Sequence, residues 1–399
     1  LGLDSWEAQH RATWAEVSLD AVAANTRCLA QLAAPAALMA VVKADAYGHG
    51  AVQVARVALE AGASWLGVAA LEEAVELRRA GLEAPILVLG PSLPAHAETL
   101  VALDVAAAVF DEPTAEALAA AGRRAGRPAR AHLKVDTGMG RLGVTPDKAG
   151  VELAVRLSRL AGLGLEGVYT HFATADEAQK AFALEQVRRF EGFLTLCAAA
   201  GLEFRWRHAA NTAALLDLPG TRYDLVRAGI ALYGLYPSPV VDRSRAVLTP
   251  VLTWKTRLAQ VKWVEPGASV SYGREFVARK PTLVGTLPVG YADGYRRALS
   301  GRGRVLVRGV TCPVLGRVCM DHLMVGLDAV PEAKPGDEAV LLGPGLPAEE
   351  LADLCGTISY EIVSTLGRRV PRVFLRDGRP VAFRSVLGTF KLGGGPTCA

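Results

Sequence analysis

The sequence has no C-x-x-C element and no H-E-x-x-H or other paired-histidine spacing, although it carries six cysteines and seven histidines. Cys28, Cys197, Cys312, Cys319, Cys355 and Cys398 are scattered, with only Cys312 and Cys319 near one another. That argues against a zinc enzyme and leaves the cysteines as reduced thiols, so no metal is required. No apolar run approaches the ~20 residues of a membrane span. The stretch "LGLDSWEAQHRATW" is charged where a secretory signal needs apolar residues. A cytoplasmic protein without a membrane partner is expected. Net charge is only +4 and the basic residues form no stripe, so nucleic acid is not an expected partner either. No G-x-G-x-x-G follows the first strand-like run, and the dinucleotide-binding signature is therefore missing.

What is present is length and apolar content. At 399 residues and 51% hydrophobic, the chain can bury more than one core, and two domains are expected. Apolar, β-rich runs recur at 38–44, 65–70, 84–90, 105–111, 129–137, 163–172, 204–211 and 223–234, with amphipathic stretches such as "LEEAVELRRAG" between them. Strands alternating with helices imply right-handed βαβ units, and a count of eight over roughly 200 residues suits a closed (β/α)8 TIM-like barrel over residues 20–245. From 246 to 388 the texture changes to short strands with turn punctuation, which reads as a mainly β domain. The early run 13–19 has no place in the barrel count and is assigned to that β domain. The glycine-rich end, 389–399, is expected to be a flexible tail.

In such barrels chemistry gathers where the strands end. "AVVKADAYGHG" closes the first strand with Lys43 and Tyr47. "DTGMGRLG" with Arg141 follows the fifth, His171 ends the sixth, Thr212 follows the seventh, and "RAGI" with Arg227, Gly229 and Ile230 lies on the eighth. Singly, each has an ordinary reading. A strand-end lysine sends its ammonium into water, a rim histidine is satisfied locally, Arg227 makes a surface ion pair and Thr212 caps a helix. Together, an amine, two arginines, a histidine and small-residue turns suit a substrate carrying carboxylate or phosphate.

Nine blocks, "AVVKADAYGHG", "KVDTGMGRLG", "THFATAD", "HAANTAA", "RAGIALYG", "VSYGREF", "GYADGYRR", "GRVCMDHLMV" and "ISYEIVSTLGRRVPR", resemble, in order from residue 13 to about 372, the bacterial alanine racemases. The resemblance implies a pyridoxal 5′-phosphate (PLP)-binding (β/α)8 barrel followed by a β domain. It also implies interconversion of L-alanine and D-alanine by two bases, supplying D-alanine for peptidoglycan, in a homodimer with shared active sites. Lys43 matches the lysine that holds the cofactor covalently and serves as one base; Tyr272 matches the second base, reaching the site of the other subunit. Tyr47, Thr212, Gly229, Ile230 and Tyr360 match the phosphate-binding group, and His171 stands with the cofactor contacts. Arg227 matches the arginine facing the pyridine nitrogen and His208 the histidine touching that arginine. A guanidinium, protonated at any working pH, leaves the ring nitrogen neutral, which disfavours transamination. Arg141 matches a contact to the substrate carboxylate and the cofactor oxygen. Met320 contributes backbone to the carboxylate contact, Tyr291 and Tyr360 narrow the entrance, and Asp321 supports its neighbour Met320. Lys134 sits where some members carry a carbamylated lysine. The alternatives are a racemase of broader specificity, a PLP-dependent decarboxylase of the same plan, and a non-catalytic PLP carrier. The decarboxylases place an acidic residue at the ring nitrogen, where this chain has Arg227, and the carriers lack the β domain that supplies Tyr272.

Overall fold

A computed structural model describes residues 11–391, and the chain divides into two compact units. One unit takes Ala21–Ala46 and Ala51–Thr249; the other takes Tyr47–Gly50 and, of the described residues, the chain up to Asp20 and from Pro250 on.

β1 (Thr13–Ser18) belongs to the second of these. The first is an eight-stranded parallel sheet of β2 (Ala37–Val41), β3 (Trp65–Val68), β4 (Ile86–Val88), β5 (Val105–Val109), β6 (Ala129–Lys134), β7 (Leu163–Tyr169), β8 (Trp206–His208) and β9 (Leu225–Ala228). The order is β8-β7-β6-β5-β4-β3-β2-β9. Backbone bonds from Asp224 N–H to Arg207 O and from Arg227 N–H to Ala210 O, both 3.0 Å, join the two ends. Strands buried on both faces read as unbroken apolar runs: "VAAAV" in β5 is buried throughout. The intervening helices cover the strands with one apolar face, as Ala51–Glu60 does through Ala51, Val54, Ala55, Val57 and Ala58. Asp111 and Asp147 start two of them by accepting from Thr114 N–H at 2.9 Å and Gly150 N–H at 3.0 Å.

All eight expected strands are found, and each ends before its apolar run does; the first and last matter most for the site. β2 ends at Val41, not at 44, and β9 ends at Ala228, giving way to the tight helical turn Ile230–Tyr233. In both places Lys43, Gly229 and Ile230 lie just beyond a strand, where loops carry chemistry.

The second unit is mainly β. Its strands are β10 (Leu252–Arg257), β11 (Gln260–Val264), β12 (Ser269–Val270), β13 (Phe276–Val277), β14 (Thr282–Leu287), β15 (Arg304–Val307), β16 (Val310–Pro313), β17 (Leu323–Gly326), β18 (Glu338–Leu342), β19 (Arg372–Arg376), β20 (Arg379–Ser385) and β21 (Gly388–Lys391). β1 lies between β10, to which it is antiparallel, and β19, to which it is parallel, within the sheet β16-β15-β18-β10-β1-β19-β20-β21. β10 shows alternating burial, the mark of a sheet with one face packed on a core. Trp14, Val373 and Phe383 form one such core, with Phe390 stacked on Phe383 at 4.8 Å between centroids. That contact corrects the expected tail. Residues 389–391 are a strand paired with β20, because Phe390 gives the segment an apolar surface to bury; the remainder, 392–399, lies outside the described residues.

Candidate active site

Beyond β2 the chain makes a left-handed turn, with φ of 51° at Ala44, 56° at Asp45, 52° at Ala46 and 53° at Tyr47. For residues with a Cβ this conformation costs roughly 1–2 kcal/mol each, so other contacts must hold it. Ala44 N–H donates to Glu73 Oε1 at 2.6 Å, Ala46 N–H to Val42 O at 2.8 Å, and Asp45 Oδ1 accepts from Ala51 N–H at 2.9 Å. Glu73 also accepts from Ala69 N–H and Ala70 N–H, so one carboxylate ties the end of β3 to the residue after Lys43. Strain of this kind persists where function needs a side chain placed. Burial lowers the Lys43 pKa, Arg141 lowers it further, and Glu73 works against both. Gly48, after the turn, has φ +83°, and a Cβ there would stand 2.2 Å from Val363 O, so only glycine fits.

Arg227 on β9 is 4% exposed and points its guanidinium at acceptors on two other strand ends. Nη1 donates to His208 Nδ1 at 2.8 Å; Nη2 lies 2.7 Å from Thr170 O, 2.8 Å from Ala209 O and 3.2 Å from His171 Nδ1. Burial pulls its pKa down to about 10, still far above neutrality, so the guanidinium keeps its protons. Tyr169 stacks on His208 with centroids 4.7 Å apart and planes 4° apart, and its ring also faces Arg227 and the Lys134 ammonium.

The sign of the site is read from His171. Burial first, then Arg227, Arg141, Lys134 and Lys43, drive its pKa well below the ordinary histidine value. Four cations therefore converge on one imidazole. Burial and the neighbouring Arg227 also pull the Lys134 amine down to about 7, with Asp136 opposing. Asp136 itself holds the "DTGMG" loop by accepting from Gly138 N–H at 3.0 Å and Gly140 N–H at 3.1 Å. Asn211, not Thr212, caps the helix Thr212–Asp217, accepting from Ala214 N–H at 3.0 Å. The Thr212 hydroxyl instead accepts from Gly229 N–H at 3.1 Å, which joins the ends of β8 and β9.

In the second unit Tyr47 and Tyr360 lie together, ring centroids 6.2 Å apart, with burial pushing the Tyr47 phenol up to about 12. Tyr291 and Met320 are also neighbours. Tyr291 N–H donates to Cys319 O at 3.0 Å and Ala292 N–H to Met320 O at 3.1 Å, and a Cβ on Gly290 would strike Met320 O at 2.3 Å. Buried Asp293 accepts from Arg11 and, at 2.7 Å, from Arg369 Nε, while Arg369 Nη2 reaches Asp321 Oδ1 at 2.5 Å. Asp321, next in sequence to Met320, thus shares Arg369 with Asp293 of the Tyr291 turn. Tyr272 opens a short helical turn between β12 and β13 and is 70% exposed. Next to it, the Ser271 hydroxyl donates to Arg317 O at 2.5 Å.

Sequence reasoning missed Glu73, His132 and Tyr169. Glu73 had a signal, since it stands three residues after Ala70 at a helix start, where a carboxylate turns back to the backbone. His132 and Tyr169 had none, because each is a single strand residue whose partners lie on other strands.

Three histidines of the barrel unit give a pH signature. His132, His171 and His208 all have folded-state pKa values below the ~6.5 of an unfolded chain. Above that pH both states are neutral; below it the unfolded chain binds protons that the fold refuses. Stability is expected to fall from pH 6.5 downward by up to ~1.4 kcal/mol per pH unit for each histidine still neutral in the fold. Urea unfolding at pH 7.5, 6.5 and 5.5 checks this, and a flat profile would mean that the folded rings take up protons.

Lys43, Lys134, Arg141 and Arg227, acting together on His171, give the barrel unit a positively charged site of the kind that holds an anionic ligand in an enzyme. The family model described as alanine racemase, N-terminal domain, matches residues 17–237, and that described as alanine racemase, C-terminal domain, matches 251–374. An alanine racemase of Symbiobacterium thermophilum is 51% identical over 91% of this chain and 97% of its own length. The crystal structure of alanine racemase from Bacillus anthracis with bound L-Ala-P is 39% identical, with TM-score 0.89 over 95% of this chain and 98% of that one. Alanine racemase from Streptomyces coelicolor A3(2) is 42% identical, with TM-score 0.86 over 92% of this chain and 98% of that one. The chain belongs to the alanine racemase family, and its enzyme class is amino-acid isomerase.

Proposed function

We propose that this protein interconverts L-alanine and D-alanine with pyridoxal 5′-phosphate held at Lys43, and that Lys43 and Tyr272 of the partner subunit are its two proton-transfer groups. Supply of D-alanine for peptidoglycan from the cytoplasm follows as the role; among the described residues no helix is long and apolar enough to cross a membrane. We also take 20–245 and 246–388, the latter joined by 13–19, as the two folding domains.

The observation that carries the reading is buried Arg227, ringed by neutral acceptors. The charge of the mouth fits the cofactor, since four cations around His171 suit a group bearing phosphate and phenolate. When bound, pyridoxal phosphate supplies an electron-withdrawing ring that acidifies the amino acid Cα proton. Arg227 would hold the ring nitrogen by an N–H and, keeping its own protons, would leave that nitrogen neutral, which favours racemisation over transamination. Arg141 binds the substrate carboxylate. The depressed Lys43 pKa makes its amine able to accept and return a proton on one face. The Tyr272 phenol serves the other face, which a single base cannot reach. Thr212, Gly229, Ile230, Tyr47 and Tyr360 would hold the phosphate with hydroxyl and backbone donors.

The deciding experiment is circular dichroism of L-alanine incubated with the PLP-loaded protein. Loss of optical activity without gas release supports the racemase; carbon dioxide release identifies the decarboxylase, and assays across all amino acids read breadth of specificity. Exchanging Arg227 for Glu is expected to let the ring nitrogen protonate, slow racemisation and raise the transaminated product per turnover. Unchanged partitioning would remove Arg227 from the ring. For Lys134, an amine near pKa 7 between two arginines is primed to add carbon dioxide, since the carbamate is an anion. Intact-protein mass spectrometry from bicarbonate buffer should show one carbon dioxide adduct, absent in Lys134→Ala.

A further inference from the structure

Arg227, His208, His132 and Glu166 form one line of polar groups inside the barrel, and the direction of that line follows from the donor at its inner end. A guanidinium only donates. Its Nη1, 2.8 Å from His208 Nδ1, makes that nitrogen an acceptor, so neutral His208 carries its proton on Nε2. His208 Nε2 is 2.8 Å from His132 Nδ1, which must accept in turn, so the His132 proton stands on Nε2. There the line leaves the ring pair. His132 Nε2 is buried with no hydrogen-bond partner, and Glu166 Oε1 faces it at 3.6 Å while accepting from Arg130 Nε at 2.8 Å.

The rings have little room to escape this arrangement. His132 and His208 are fully buried, and a Cβ on Gly167 would lie 2.4 Å from His132 Nδ1, so only glycine lets the ring pass. Trp65 meets His132 edge-on at 5.3 Å, and Tyr169 lies flat on His208 at 4.7 Å. If the line ran the other way, His208 would turn an N–H toward the Arg227 N–H, donor against donor. Only an acceptor beyond His132 Nε2 makes the observed direction complete.

We propose that Glu166 is a positioning residue: its carboxylate, facing the buried His132 Nε2–H, acts together with the Arg227 donor at the inner end to set the direction of the His132–His208 hydrogen bond and so keeps His208 Nδ1 an acceptor for Arg227. The catalytic consequence rests on the reading of Arg227 as the group at the pyridine nitrogen; the direction itself is a property of the protein without cofactor.

The test is 15N NMR of histidine-labelled full-length protein, before and after loading with PLP, with signals assigned by their loss in His132→Gln and His208→Gln. In the wild-type protein both rings should be protonated on Nε2. Glu166→Gln keeps an acceptor oxygen and should retain both tautomers and kcat. Glu166→Leu removes the carboxylate; the His132 and His208 signals should divide together between tautomers and kcat should fall ~10-fold, with KM for alanine unchanged because Arg141 is untouched. A wild-type His132 protonated on Nδ1 overturns the proposal, and that measurement stands even if Glu166→Leu does not fold. Unchanged tautomers in Glu166→Leu, or a Glu166→Gln protein as impaired as Glu166→Leu, overturn it as well. Because the tautomers are read without turnover, a protein that did not racemise alanine would leave this result intact and fail only the functional reading.

Discussion

Replacing Lys43 with Ala is expected to abolish the visible absorbance of the PLP-loaded protein and to lower racemisation by ~10³-fold or more, because cofactor anchor and proton acceptor are lost together. The effect should fall on chemistry and not on folding. Lys43 follows the end of β2, and hydrogen bonds from Ala44 N–H to Glu73, from Ala46 N–H to Val42 O and from Ala51 N–H to Asp45 hold the left-handed turn after it. Absorbance and polarimetry, with urea unfolding as the control, measure the three consequences separately. A coloured, active Lys43→Ala protein would end the proposed mechanism. Loss of activity with a matching loss of stability would assign the lysine to the fold.

The second large effect is restoration. Tyr272 is 70% exposed, Met320 53% and Tyr291 42%, an unusual surface for three residues implied in one site. That exposure supports the proposal that these residues complete the site of a neighbouring chain. In a two-fold dimer each chain would then give Lys43 to one site and Tyr272 to the other. Homodimers of Lys43→Ala and of Tyr272→Ala should both be inactive. Refolded together, about half of the dimers should be mixed, each with one doubly damaged site and one intact site. Activity should return toward roughly a quarter of the wild-type value. If Tyr272 served the lysine of its own chain, every site would keep one lesion and mixing would restore nothing. Two affinity tags that recover the mixed dimer show that exchange occurred, and recovered mixed dimer without turnover would refute the shared site.

How much of this was readable in advance depends on the range of the interaction. The eight barrel strands were legible because a parallel strand covered on both faces must be apolar along its whole length, a property each run such as "VAAAV" carries locally. The change of texture after residue 245 was legible for the same reason, since alternation and turn residues are short-range. Lys43, Arg141 and Arg227 stood out as charged residues at the ends of apolar runs. Other features left no local trace. Nothing in "KADAY" announces four residues in the left-handed region, because one of the contacts that hold the turn comes from Glu73, almost thirty positions away, which takes the Ala44 N–H. The segment 389–391 was grouped with the glycine-rich residues that follow it, yet Phe390 finds Phe383 across the sheet. His132 is one polar residue within β6, and its meaning comes from His208 on β8 and Glu166 on β7. The sequence by itself determined where strands and helices form and which charged groups stand at their ends, since periodicity and burial act over a few residues. Only the tertiary structure decided which way those groups donate and accept, because a hydrogen bond's direction is set by partners that meet after the barrel has closed.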